Sequence, residues 1–416
     1  MQSAIDSLYR NLYSKMVASL ISYFGLKNFS IAEDIVQDTF VAAMEKWPIE
    51  GRPDNPQAWL FRVCKNKTMN LLEKGSTKVS GPSITTDSGT VDYQLEHLFL
   101  DHEIHDNQLR LLFACCHPVL SPKAQLVLIL KNLCGLKVEE ISKALLTTSD
   151  AVTKMLSRSK KALAEKQIQL QVPFLLRSHE RLNIVHTAIY LMFNEGYAAT
   201  GGDVVIRKDL CIESMRLIKS ILEINSVRNH DTFALFALMC FHTARFEARV
   251  GTAGEIIELE QQDRLRWDRD LISVGVQYLR QAHDTNKITR FILEAAIASV
   301  HSIAEKFELT NWTVIVGLYD RLAALQSTPF VDLNRAVAIY YAAGPEDALK
   351  ALSQSNHLTW LKNYYLYYAV LGKIYTTLKR NVEATKAYEK ALSLTTLRAE
   401  QDFLRTKLLT IQIHLN

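Results

Sequence analysis

The stretch Leu136-Lys137-Val138-Glu139-Glu140-Ile141-Ser142-Lys143-Ala144-Leu145-Leu146-Thr147-Thr148-Ser149-Asp150-Ala151-Val152-Thr153-Lys154-Met155-Leu156-Ser157-Arg158-Ser159-Lys160-Lys161-Ala162-Leu163 decides the reading of the chain. Val138, Ile141 and Leu145 recur at helical spacing and make one apolar face. Thr147-Thr148-Ser149 breaks the pattern, and Thr148 or Ser149 offers an oxygen to cap a second helix. That helix turns Val152, Met155, Leu156, Ala162 and Leu163 inward. Its outer face carries Thr153, Lys154, Ser157, Arg158, Lys160 and Lys161. A short helix, a tight turn and a longer basic helix are what lay a recognition helix in a DNA major groove. A helical hairpin with a solvated basic face is the competing reading. The glycine usual in such a turn is absent, and Leu145-Leu146-Thr147-Thr148 stands in its place.

Upstream, residues 87–106 hold Asp87, Asp92, Glu96, Asp101, Glu103 and Asp106 without a Lys or Arg. With Ser76-Thr77-Lys78-Val79-Ser80-Gly81-Pro82-Ser83 before them, they read as an acidic flexible linker over 76–106. Further upstream, Ala32, Ile35, Val36, Phe40, Ala43 and Trp47 form a helical stripe. Ser30 and Glu33 are placed to close a capping box at its start. The opposite face carries Glu33, Asp34, Gln37, Asp38 and Glu45. Asn55-Pro56 then opens another helix, with Asn as cap and Pro at the first helical position. On it Trp59 and Phe61 accompany Arg62, Lys65, Asn66, Lys67 and Asn70. Aromatic rings stack on unpaired bases, while Lys, Arg and Asn hold phosphates and base edges. Lysines that merely solvate a helix with Trp59 and Leu60 in the core remain the alternative.

These strings resemble a known family. "AEDIVQDTFVAAMEKW" followed by "NPQAWLFRVCKNKTMNLL" resembles regions 2.2 to 2.4 of an extracytoplasmic-function RNA polymerase sigma factor. "SPKAQLVLIL" and the helix-turn-helix string resemble sigma region 4. The resemblance implies an all-α protein that directs core polymerase to promoters. Asp34, Gln37 and Asp38 would face the polymerase β′ coiled coil. Trp59, Arg62, Lys65, Asn66, Lys67 and Asn70 would engage the melted −10 element. Thr153, Lys154, Ser157 and Arg158 would face the −35 element, Lys160 and Lys161 would hold phosphates, and region 4 would touch the β flap. Asn70 departs from the Asp of many relatives, and Glu73-Lys74 replaces a more basic ending.

The C-terminal half resembles the extension of one group of these factors through "YLMFNEGY", "DLCIESMRL", "QDRLRWD" and "LNRAVAI". Such extensions are thought to regulate the sigma core in place of a separate anti-sigma protein, and genes of that group often lie beside small DGPF-type (YCII-related) proteins. Asn194, Glu195, Tyr197, Asp203, Arg207 and Asp209 make a candidate regulatory cluster at a bend between two helices. Its glycines, Gly196, Gly201 and Gly202, permit left-handed backbone. A second charged string at 257–272 is placed to pack near it. Leu371, Gly372, Tyr375, Ala384, Tyr388 and Ala391 fall on the spacing of a tetratricopeptide repeat, with Ala336, Ala348 and Leu352 a weaker copy. Stacked helix pairs of that kind form a groove for a regulatory protein or peptide.

The expected division is sigma region 2 over 1–75, linker over 76–106, sigma region 4 over 107–170, a helical extension domain over 171–300 and tetratricopeptide-like repeats over 301–416. Across 416 residues, 15 Gly and 9 Pro favour helices over sheet. No apolar run reaches the ~18 residues of a membrane span. The first ten residues lack a signal-peptide pattern, so a cytoplasmic protein is expected. Six cysteines without a CxxC pair read as free thiols, Cys115-Cys116-His117 included, and neither a metal nor a cofactor is expected. No nucleophile–base set stands out, so no catalysis is expected. Two rival readings stay open. One is a polymerase-independent helix-turn-helix regulator on a tetratricopeptide scaffold. The other is an enzyme with a site around Glu195, Asp203 and Arg207.

Overall fold

Gly25, at φ 79°, stops the first helix, α1 (Gln2–Phe24), and a 3-10 turn (Leu26–Asn28) redirects the chain into α2 (Phe29–Glu50). Asn28 fixes that corner from inside, its buried side-chain amide donating to the Phe24 carbonyl at 2.8 Å. The expected capping box at Ser30 does not form. The helix has already begun at Phe29, and Glu33 is engaged elsewhere. The predicted stripe is buried throughout, from Ala32 to Trp47. α3 (Pro56–Glu73) is capped as expected, with the Ala58 amide donating to Asn55 Oδ1 at 3.0 Å, and it buries Leu60, Cys64 and Thr68.

The computed structural model describes residues 2–73, 97, 100–165, 179–199, 205–225, 227–252, 254–282 and 287–413. Most of the expected linker therefore lies outside the described residues. Its last part does not read as linker: α4 runs Asp101–Cys115 and packs on α1. α5 (Pro122–Asn132) starts with Pro after the Ser121 cap, and α6 (Val138–Ala144) and α7 (Ser149–Glu165) form the helix-turn-helix. Val152, Leu156 and Leu163 of α7 are buried, with α5 and α6 packed against it.

The turn between α6 and α7 explains its missing glycine. The Thr147 amide donates to the Ser142 carbonyl and the Leu146 amide to that of Lys143, which is the Schellman pattern. Leu146 occupies the left-handed position itself, at φ 49°, where glycine is usual. Thr148 Oγ1 then accepts from the Ala151 amide at 3.2 Å and caps α7.

The chain divides into two compact units, Met1–Met192 and Phe193–Asn416. The second receives the end of α8 (His179–Tyr197) and continues through α9 (Lys208–Glu223), α10 (His230–Thr243) and the short α11 (Phe246–Arg249). A long irregular stretch leads to α12 (Arg269–Ala282) and α13 (Arg290–Ile303), both packed on the wholly apolar centre of α10. Then follow α14 (Trp312–Leu325), α15 (Pro329–Ala343), α16 (Pro345–Ser353), α17 (Leu358–Leu361), α18 (Tyr365–Thr377), α19 (Asn381–Leu394) and α20 (Arg398–Ile413). α15 pairs with α16 and α18 with α19.

The α18–α19 pair approaches closely because Gly372 lacks a side chain. A Cβ there would lie 2.7 Å from the Tyr388 ring. Glu260 of the irregular stretch meets Lys373 at 2.7 Å and accepts from the Tyr341 hydroxyl at 2.9 Å, while Glu258 pairs with Lys407. Apart from one isolated bridge between Val250 and Ile256, no β structure occurs among the described residues. No described helix is long and apolar enough to cross a membrane.

Candidate promoter and polymerase interface

Asp34, Gln37 and Asp38 stand exposed on one side of α2, while Ile35, Val36 and Phe40 seat the other side in the core. Three acidic or amide groups one helical turn apart thus make a ridge whose backing is rigid. Glu33, expected on the same face, is buried.

On α3, Arg62, Asn66 and Asn70 are exposed at spacings of four, and Lys65 and Lys67 are half-buried. Trp59 is half-buried as well, its ring edge-on to that of Trp47 at 5.4 Å. The indole is thus partly committed to the core.

On α7, Thr153, Lys154, Ser157, Arg158 and Lys161 are exposed together. The Thr153 hydroxyl donates back to the Ser149 carbonyl at 3.0 Å, and Lys154 reaches Asp150 at 2.7 Å along the helix. Both members of that ion pair are well exposed, so it is worth little and yields readily to a phosphate.

Lys160 is placed differently from its neighbours. Its Nζ donates to both carboxylate oxygens of Glu33, at 2.7 and 2.5 Å, and lies 5.4 Å from the centre of the Phe29 ring. The α7 helix also packs on the 3-10 turn at Leu26–Asn28. The helix expected to face the polymerase, α2, and the helix expected to read −35, α7, therefore touch, through residues 127 apart in sequence. Charge clustering and the resemblance to region 4 placed Lys160 on DNA, and nothing in the sequence marks Glu33 as its partner.

In the second unit, Glu195 is buried and Arg207 lies 3.9 Å from it. Asn194, Tyr197 and Asp209 are half-buried nearby in the chain, and Asp203, Gly201 and Gly202 lie outside the described residues. Gly196 is helical, so it serves close approach and not left-handed backbone. A Cβ there would come within 2.6 Å of Cys211 Sγ and 3.0 Å of the Arg207 carbonyl. Arg249, which sequence reasoning missed, lies with its guanidinium 3.6 Å from the Tyr197 ring centre and donates to the Tyr197 carbonyl at 2.5 Å. Within the string at 257–272, Gln262 accepts from Arg245 at 3.1 Å.

All six cysteines are buried free thiols. Burial pushes Cys64, Cys116, Cys211 and Cys240 up to about 12, which leaves them unreactive as nucleophiles. Among the described residues no group of three His, Cys, Asp or Glu side chains is placed to hold a metal ion.

Three segments of the chain match known families. Residues 8–77 match sigma-70 region 2 and residues 110–163 match sigma-70 region 4. Residues 181–283 match a family of unknown function (DUF6596). An uncharacterized protein of Rhizobium meliloti (strain 1021) is 32% identical over 406 residues, covering 97% of this chain and 95% of that protein. No solved structure matches. With region 2 and region 4 in order and a helical part beyond them, the chain belongs to the sigma-70 family of RNA polymerase sigma factors, as an extracytoplasmic-function-like member with a C-terminal extension.

Proposed function

We propose a division of labour within this sigma factor. Asp34, Gln37 and Asp38 dock on the β′ coiled coil. Trp59, Arg62, Lys65, Asn66, Lys67 and Asn70 engage the melted −10 element. Thr153, Lys154, Ser157 and Arg158 read −35, Lys161 holds a phosphate, and region 4 touches the β flap. The observation that carries this reading is the exposure of both faces on helices whose opposite sides are locked in the core. Region 2 takes 1–75, region 4 takes 107–170, and the protein works in the cytoplasm without catalysis of its own.

The Glu33–Lys160 contact belongs to a resting form. Elements centred near −10 and −35 lie about 25 base pairs apart, roughly 85 Å at ~3.4 Å per pair. Regions whose helices pack directly on one another cannot span that distance, so promoter engagement requires them to separate. Lys160 then becomes free to hold a phosphate.

The extension, over 171–300 and 301–416, restrains or licenses the sigma core. The close α18–α19 and α15–α16 pairs support tetratricopeptide-like stacking, and their groove is the place for a regulatory protein or peptide. In-vitro transcription with bacterial core polymerase tests the assignment. Full-length protein should initiate at specific promoters, and charge reversal at Arg158 should remove −35 dependence while leaving core binding intact. Initiation that ignores the −35 sequence in the unaltered protein would overturn the role given to α7.

A further inference from the structure

Three arginines of the extension gather where helices end. Arg249 donates to the carbonyl of Tyr197, the last residue of α8. Arg264 donates at 2.6 Å to the carbonyls of His301 and Ala304, at the end of α13, and at 3.1 Å to Thr310 Oγ1. Each of these two therefore meets the negative end of a helix, worth roughly half a charge. Arg245, just past the end of α10, donates to the neutral amide oxygen of Gln262, at 3.1 and 3.2 Å.

Among the described residues no carboxylate lies within 4.0 Å of any of the three. The two helix ends supply about one compensating charge to the three guanidiniums, and Glu308 acts on Arg264 only from beyond ion-pair distance while Arg269 adds a further positive charge beside it. Trp267 sits among them, with the Arg264 and Arg245 guanidiniums 4.6 and 5.1 Å from its ring centre. Arg264 and Trp267 are 5% and 2% exposed, whereas His242, Arg245, Arg249 and His301 keep partial contact with solvent. Crowding like charges in so buried a place is costly unless something of opposite sign completes it.

The hydrogen-bond inventory indicates what is missing. Trp267 Nε1 and Arg264 Nε are buried without a partner, and both can only donate. His242 Nδ1 and His301 Nδ1 are also buried without a partner. Burial and the neighbouring arginines push both imidazoles down to about 3, so each is neutral and can present an N–H. Native proteins rarely leave such groups unpaired. A negatively charged acceptor would satisfy the unpaired donors and the excess charge together.

We propose that Arg245, His242, His301, Arg264 and Trp267 form a binding site for a small anion, recognised through a carboxylate or phosphate group. The ligand is small because Arg264 and Trp267 sit too deep for a macromolecular surface to reach. Planar guanidinium forks suit either oxyanion. All of these residues except His301 fall in the segment 181–283 that matches the family of unknown function. The site gives the extension's regulatory role a ligand class and rests on that role only for its effect on transcription. Binding is read on the protein alone, so the two can fail separately.

The test is calorimetric titration of the full chain near neutral pH with inorganic phosphate and with succinate, chloride holding ionic strength constant. One of the two should bind saturably with a single site, and the one that does identifies the oxyanion. Arg245→Gln should weaken it at least about tenfold, and Arg245→Lys, which keeps the charge but loses the fork, by less. Phenylglyoxal labelling of the unaltered protein, mapped by mass spectrometry, should show Arg245 protected by that anion. This arm needs no variant to fold. Absence of saturable binding by both anions, binding unchanged in Arg245→Gln, or protection confined to other arginines would overturn the proposal.

Discussion

Glu33→Gln should strengthen binding to core polymerase. The Glu33 carboxylate takes two hydrogen bonds from Lys160, with side chains 10% and 24% exposed. A charged hydrogen bond contributes about 1.5–3 kcal/mol net, and breaking a fully buried pair costs about 3–5 kcal/mol. With a quarter of the lysine in water, about 2 kcal/mol is the reasonable figure for this contact. Removing it weakens closure by about 30-fold. Where closure competes with docking, apparent affinity for core rises by up to that factor. The assay is fluorescence anisotropy of labelled full-length protein titrated with core polymerase in the absence of DNA. Lys160→Gln should give a similar gain, and the double variant should add little to either single one, since both remove the same interaction. On promoter DNA the two should part, because only Lys160→Gln also loses a phosphate contact. Affinities within twofold of the unaltered protein for both single variants would refute the reasoning.

Other predictions concern stability. Gly372→Ala places a methyl 2.7 Å from the Tyr388 ring and should destabilise the second unit by about 1–3 kcal/mol in urea unfolding. Leu146→Gly should stabilise the first unit by about 0.5–1 kcal/mol, because Leu146, 48% exposed, holds a left-handed backbone. His186 is fully buried, and burial pushes its imidazole down to about 3. In the unfolded chain it titrates near its ordinary value of about 6.5. The stability this gives is complete above that pH and is lost as pH falls toward 3, at up to about 1.4 kcal/mol per pH unit. His186→Gln should remove one proton's worth of the acid dependence measured between neutral pH and pH about 5. An unchanged slope would contradict the assignment.

The legible parts of the chain were those governed by local rules. The α2 stripe from Ala32 to Trp47 follows helical periodicity, and Asn55-Pro56 and Thr148 act as caps because their oxygens need only the next turn. Exposure of Asp34, Asp38 and Arg158 follows from the same periodicity. The failures lie where a partner is distant. Ser30 lost its capping role because Asn28 and the 3-10 turn set the helix start, and Glu33 was drawn to Lys160. Gly196 serves packing against Cys211, a contact spacing does not encode. The arginine cluster was missed because Arg245, Arg249 and Arg264 look like ordinary surface charges until three helix ends converge on them. Their positions just after "MCFHT" and within "QDRLRWD" were the available signal.

Promoter-specific initiation by core polymerase carrying this protein, compared with the Asp34→Lys/Asp38→Lys variant, tests the sigma role most directly. Both residues are exposed, so the variant should keep its circular dichroism spectrum and melting temperature. The predicted result is specific transcripts with the unaltered protein and none with the variant, which should also fail to bind core. Equal transcription by the two would contradict the placement of the polymerase interface on α2. Transcripts from neither, with both folded, would contradict the central claim itself.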